Sequence, residues 1–220
     1  MDENKFDQSG LNTVKRLPKR GHYDKETIFG ILDRHFLCHL AWEMEGQPFM
    51  IPTAFGRKEE TIYVHGSSKS RMLSSLSDGR PLCMMVTQVD GLVLARSAFH
   101  HSMNYQSVVI YGHAHEVEGD EKYEALKIVS DQIIKGRWDE VRLPTPIEMK
   151  ATTVLAITID TASAKIRTGP PADDEADYDL PIWAGILPAQ LKFDSPIADP
   201  QMKMEVPVAE SVHFKMKTTT

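Results

Sequence analysis

The apolar positions of this chain recur mostly with a period of two, in short runs separated by Gly, Pro and charged clusters. That pattern predicts strands joined by tight turns. Residues 36–42 form the first run, followed by a turn at Glu45-Gly46-Gln47-Pro48, and residues 49–55 form the second. Pro52 has no N–H to give to a ladder, so the second strand must lie at an edge or carry a bulge. A charged turn at 56–60 leads to a third run, 61–64, and connections this short imply antiparallel pairing. Residues 82–89 are almost continuously apolar, which predicts a strand buried on both faces. Asp90-Gly91 then reads as a two-residue hairpin turn, with 92–95 returning. A polar loop, 96–104, precedes a long strand, 105–116. A last hairpin is expected from 154–159 and 163–168, turning at Asp160-Thr161.

Helical periodicity appears between these runs. Asp24 is a candidate N-cap for a helix that places Ile28, Ile31 and Leu32 on one face and stops near Asp33-Arg34-His35. A second helix is expected over about 68–76, with Met72, Leu73 and Leu76 inward. A third is expected over 120–134 and closed by Gly136. Thr145-Pro146-Ile147-Glu148 is a capping box with proline at the first helical position. At least seven strands with helices at the ends and between hairpins predict a mainly β, α+β fold: a closed or nearly closed antiparallel barrel with peripheral helices. Strands do not alternate with helices and no GxGxxG occurs, which excludes a doubly wound nucleotide fold. Residues 1–21 read as an N-terminal arm packed only in its second half, 22–190 as the domain, and 191–220 as a tail with no core role.

The bulk properties narrow the function classes. A formal charge of −6 over 220 residues argues against a nucleic-acid binder. No run approaches membrane-spanning length and the N-terminus is polar and acidic, so a cytoplasmic protein is expected. Cys38 and Cys83 both lie in apolar runs, as reduced, buried side chains do; a disulfide is the alternative.

The chemistry concentrates at Tyr63-Val64-His65-Gly66-Ser67-Ser68-Lys69-Ser70-Arg71-Met72. A strand here empties into Gly, Ser and cations where a helix begins, a pattern suited to holding a phosphate and also to an ordinary strand–helix connection. His65 sits at its mouth, either as a group that orients or protonates a ligand or as a strand histidine. Tyr105-Gln106-Ser107 opens a strand that could present hydrogen bonds to a heteroaromatic ring, with Gly112 permitting a close approach. Lys165 and Arg167, at i and i+2, share a strand face that could meet an anion or simply be solvated. Trp183 is a stacking platform or an apolar anchor. His113 and His115 share a face and His100-His101 lies in a loop, but no third ligand joins either pair, so no metal site is expected. No nucleophile has a base and neither GxSxG nor HExxH occurs, which suits a cofactor that brings its own reactivity.

Taken in order, Ile51-Pro52-Thr53, the 63–72 stretch, Asn104-Tyr105-Gln106-Ser107-Val108 with Gly112, Lys165-Ile166-Arg167-Thr168-Gly169-Pro170-Pro171 and Trp183-Ala184-Gly185 resemble the flavin-nucleotide-binding branch of the pyridoxamine 5′-phosphate oxidase-like superfamily. Nitroimidazole-resistance proteins belong to the same broad group. The resemblance covers about residues 12–190. It implies an antiparallel split β-barrel of the FMN-binding type, a homodimer, and FMN at the dimer interface. By the same resemblance Ser70 and Arg71 hold the FMN phosphate with Lys69 and Ser67 nearby, and His65 touches the flavin nucleotide. Thr53 lines the isoalloxazine, and Gln106 and Ser107 reach the cofactor from another strand. Arg167 and Trp183 are the candidates from the C-terminal part, where such segments vary and can cross the dimer. Pro52-Thr53-Ala54-Phe55 stands where the oxidase itself has a basic strand, and its pyridoxal-phosphate-binding residues are missing. Oxidation of pyridoxamine phosphate is therefore not expected. The implied function is an FMN-dependent oxidoreductase acting on a small aromatic or nitro-containing substrate. The alternatives are a flavin carrier without turnover, or a haem-handling relative using His100, His101 and His113.

Overall fold

The structure, a computed structural model, describes residues 2–217. Met1 of the expected arm and residues 218–220 of the expected tail lie outside the described residues. Eight strands, β1 (Gly21–His22), β2 (Leu37–Met44), β3 (Gln47–Lys58), β4 (Thr61–Ser67), β5 (Asp78–Leu94), β6 (Ser102–Glu116), β7 (Thr152–Arg167) and β8 (Gly185–Pro188), are interleaved with five α-helices. The helices are α1 (Lys25–Asp33), α2 (Arg71–Leu76), α3 (Gly119–Ile133), α4 (Pro146–Ala151) and α5 (Glu210–Lys217). All pairings are antiparallel, and the path β7-β4-β3-β2-β5-β6 closes because β6 also pairs with β7. Closure removes most free edges, and β1 and β8 cover parts of what remains on β7 and β5. Two seams are short: β3 meets β4 only over Phe55–Lys58, and β2 meets β5 only at residues 39–42. Pro48 and Pro52 therefore stand in a stretch of β3 that pairs with β2 alone, the edge position proline demands.

The barrel interior is filled by alternate residues such as Leu40, Phe55, Ile62, Met84, Ile110 and Leu155, all fully buried. Helix α1 plugs it with Ile28, Ile31 and Leu32 after Asp24 Oδ1 accepts the N–H of Thr27, and α2 adds Met72, Leu73 and Leu76. A smaller cluster, Tyr63, Val154, Ala156, Ala125 and Val129, packs α3 on the outside of β4 and β7. Gly56 allows that contact, since a Cβ there would lie 2.7 Å from the Val129 nitrogen. The capping box at Thr145 and Glu148 forms as expected. No helix among the described residues is long and apolar enough to cross a membrane.

Four expectations are corrected. Asp90-Gly91 does not turn a hairpin: β5 runs through it with a register shift, because β6 continues as partner on both sides and accommodates the extra residue as a bulge. Asp160-Thr161 likewise lies inside continuous β7, where a register shift opposite Tyr111/Gly112 absorbs Asp160. The outward face of 82–89 is not covered within the chain: Met85 and Val89 are 37% and 41% exposed. The arm packs in its first half as well, with Phe6 in the core and Asn12 Nδ2 bonded to Thr161 and Ala162. Each of these contacts is long-range, which local periodicity cannot register. Cys38 and Cys83 are both free, and burial pushes the Cys38 thiol up to about 12.

Candidate functional site

Alternation along β4 sends Ile62 and Val64 into the barrel and Tyr63 and His65 to the α3 side, where His65 pairs with Val154. Gly66 sits against the Leu73 side chain of α2, 3.2 Å from where a Cβ would stand. The chain then turns. Lys69 N–H donates to Ser67 Oγ (3.2 Å), Ser70 N–H to the Ser67 carbonyl (2.8 Å), and Ser68 N–H to the Ala151 carbonyl (2.9 Å). Helix α2 starts at Arg71, so it is shorter than the periodicity suggests; Ser70 takes the N-cap position in extended backbone. The Ser70 hydroxyl makes no capping bond. Among the described residues neither Lys69 nor Arg71 forms an ion pair. The turn is thus ordered by its own backbone while one hydroxyl and two cations remain unspent.

Arg71 is placed by an aromatic stack. Its guanidinium carbon lies 4.5 Å from the centroid of the Phe49 ring, and Phe49 stacks on Trp42 at 5.4 Å and 19°. Trp42 and Phe49 also line an apolar depression of about 590 Å³ at β2, β3, β5 and β6, together with Met50, Leu82, Cys83 and Tyr111. Among the described residues, Trp42 Nε1 in the stack and His65 Nδ1 on β4 are buried without a partner. Burial also holds the His65 pKa below the ordinary histidine value, which keeps the ring neutral near pH 7. A phosphate-bearing group would use the unspent donors of the turn, whereas Phe49 is already faced by Arg71 and by Trp42.

The structure brings His65, Ser67, Lys69, Ser70 and Arg71 together and separates the rest. Thr53 is half-buried on β3 opposite Cys38, its hydroxyl bonded weakly to the Ala54 carbonyl at 3.4 Å. Gln106 and Ser107 are consecutive on β6 and so point to opposite faces. Gln106 is engaged with Arg34 (2.9 Å) and Asp90 (3.1 Å), while Ser107 donates to the Lys165 carbonyl at 3.4 Å. Arg167 lies at the end of β7 remote from Ser67, which pairs with Thr152 at the other end. Trp183 is 68% exposed, its ring against Gly185. Missed from the sequence were Trp42 and Phe49, whose opposition across the β2–β3 turn was legible once the register was known.

The histidines differ in what their second nitrogen can do. His113 Nδ1 faces Asp160 Oδ2 at 2.5 Å, which orients the ring and leaves Nε2 as the nitrogen not engaged by that contact. His101 Nδ1 accepts from Ala95 N–H at 3.0 Å, so Nε2 carries the proton and is a poor ligand. His100 Nε2 lies 3.4 Å from Asp174. No group of three or more His, Cys, Asp or Glu side chains among the described residues could hold a metal ion.

The family model described as pyridoxamine 5′-phosphate oxidase matches residues 24–166. No curated protein matches the chain. Among solved structures the chain is similar to the flavocytochrome Anf3 from Azotobacter vinelandii, at 39% identity and a TM-score of 0.86, covering 94% of this chain and 96% of that one. It is also similar to the FAD and haem binding protein from Mycobacterium smegmatis, at 33% identity and a TM-score of 0.85, covering 90% and 97%. A Bacteroides thetaiotaomicron protein assigned to 5-nitroimidazole antibiotic resistance shares the fold, at 22% identity and a TM-score of 0.54, over 65% of this chain and 84% of that one. With its closed antiparallel barrel and a family match that spans β2 to β7, the chain belongs to the pyridoxamine 5′-phosphate oxidase-like split-barrel family.

Proposed function

We propose that the protein is a flavin-binding redox protein that also carries haem. The observation that carries the flavin half is the unspent donor set at Ser67–Arg71 beside the Trp42–Phe49 stack. Ser70 and Arg71 bind the flavin phosphate, Lys69 adds charge, and His65, neutral, offers Nδ1 as donor or acceptor according to its tautomer. Thr53 stands on the open edge of β3, where a ring system can reach backbone groups that no neighbouring strand takes. A bound flavin supplies hydride and single-electron chemistry; the chain's own residues fix it and tune it. A small aromatic or nitro-containing substrate fits the open apolar depression.

The haem half rests on the two relatives of highest identity named above, one called a flavocytochrome and the other an FAD and haem binding protein. It changes the expected cofactor from FMN alone to a flavin nucleotide, with the dinucleotide form favoured by the second relative's name. Of the candidate histidines, His113 is the one whose carboxylate partner leaves Nε2 available to iron. The uncovered apolar face of β2, β3 and β5, where Leu37 is 50%, Met50 63% and Met85 37% exposed, is the surface a homodimer would bury.

The visible spectrum of purified protein tests the whole reading. Flavin bands and a Soret band are expected together, and chromatography of the released flavin distinguishes FMN from FAD. A colourless protein that takes up neither added flavin nor added haem overturns it. Flavin alone, without haem uptake, leaves the flavin oxidoreductase or carrier.

A further inference from the structure

The chain buries a cation without a counter-charge at the end of β7 remote from the Ser67–Arg71 turn. Arg167 is 9% exposed. Its Nη1 donates to the side-chain oxygen of Asn104 and, at 3.5 Å, to the Gly169 carbonyl, both neutral acceptors. Burial and the nearby Arg20 hold its pKa below the ordinary arginine value, and only Tyr105 opposes them. Two other partly shielded arginines are matched to carboxylates, Arg57 to Asp33 at 2.6 Å and Arg96 to Asp173 at 3.2 Å. Removing a guanidinium from water without a compensating anion is costly, so the exception calls for a reason. Fastening the Asn104–Gly169 loop is not a sufficient one, because a neutral amide could donate the same bonds.

The surroundings add charge of the same sign. Lys165 lies two residues earlier on the same face of β7. It also pairs with Gly21 of β1, which brings the adjoining Arg20 alongside. Among the described residues none of Arg20, Lys165 and Arg167 forms an ion pair. The Ser107 hydroxyl is opposite Lys165 and faces the same way. A buried guanidinium with Arg20 beside it and Lys165 on the same strand face suits an anion of more than one charge.

We propose that Arg167, Lys165 and Arg20 form a second anion site that takes a phosphate ester or diphosphate. The source of that phosphate is either the diphosphate of a flavin dinucleotide bound across a dimer or a separate phosphorylated small molecule. The site does not depend on flavin binding at the Ser67–Arg71 turn.

Inorganic pyrophosphate is the probe, measured by calorimetry and by the rise in melting temperature it causes in the full chain. Wild type is expected to bind it, and Arg167→Gln to bind it at least tenfold more weakly. Because Arg167 is buried, the double variant R20Q/K165Q provides a second test in which the loop bonds are intact, and the same loss is expected. If R20Q/K165Q also weakens FAD binding at least tenfold while leaving FMN unchanged, the anion is the dinucleotide's diphosphate. If both flavins bind unchanged and pyrophosphate is lost, a separate phosphorylated ligand uses the site. Wild type that ignores pyrophosphate, or R20Q/K165Q that binds it normally, overturns the proposal. Pyrophosphate binding in a protein that takes up no flavin overturns only the flavin reading.

Discussion

Arg71 lies 4.5 Å from the centroid of Phe49, on a ring that is itself stacked against Trp42. That relationship joins the polar turn to the apolar depression. A guanidinium held over an aromatic face loses less rotamer freedom when it meets a phosphate, so the stack pre-organises the charge.

Replacing Arg71 with Ala is accordingly expected to weaken flavin binding with the fold retained. Charge-assisted hydrogen bonds contribute about 1.5–3 kcal/mol, which is roughly a tenfold to hundredfold loss of affinity. Arg71→Lys should recover part of it, because the charge returns without the fork. Flavin fluorescence titration with far-UV circular dichroism as the control measures both. Wild-type affinity in Arg71→Ala would remove the phosphate from this turn.

His113→Ala is expected to abolish the Soret band while leaving the flavin bands unchanged. Asp160→Asn keeps the imidazole but weakens its orientation, so haem should bind about tenfold more weakly, within the usual range for an outer-shell partner. Haem titration followed at the Soret maximum checks this, and an unaltered band in His113→Ala assigns the iron to another histidine.

Stability should fall on mild acidification. Burial depresses the pKa of His65, and burial with Arg34 depresses that of His35, both from an ordinary value of 6.5. Below that value the unfolded chain takes up protons that the folded one refuses, so stability rises with pH across the window and is lost as pH drops through it. Melting temperatures between pH 7.5 and 5.5 should decline in wild type, and less steeply in a His35→Gln, His65→Gln double variant. Parallel slopes would show that these histidines are not the coupled groups.

Gly56→Ala should destabilise the fold by about 3 kcal/mol or more, toward the upper end of overpacking costs. The added Cβ would stand 2.7 Å from the Val129 nitrogen and 2.8 Å from the Ile128 carbonyl, forcing α3 off the sheet. Gly112→Ala is expected to be at least as damaging, since its Cβ would meet the Thr158 carbonyl oxygen at 2.0 Å. Denaturant midpoints measure both, and a near-neutral Gly56→Ala would mean that α3 can shift without loss.

Local periodicity was enough for β2, β3, β4 and β6, for α1, for the capped start of α4 and for antiparallel pairing, because each is written in neighbouring residues: alternation, an N-cap, a Pro after a Thr. The Ser67–Arg71 turn was legible for the same reason, as a compact run of donors after a strand. The sequence alone determined this much: a mainly β barrel, and one polar turn of hydroxyls and cations between a strand and a helix.

What the tertiary structure decided depends on pairing across the chain. Asp90-Gly91 and Asp160-Thr161 look like turns, yet strands run through them because β6 is long enough to bond on both sides of each bulge. Gln106 and Ser107 look like one polar pair, but alternation sends them to opposite faces, one to Arg34 and Asp90 and the other to Lys165. Lys165 and Arg167 read equally as solvated or ligand-binding until the fold buried Arg167 beside Arg20 and left it no carboxylate. The residue types were visible in the sequence, but register and burial, which are long-range properties, determine which of them can act together.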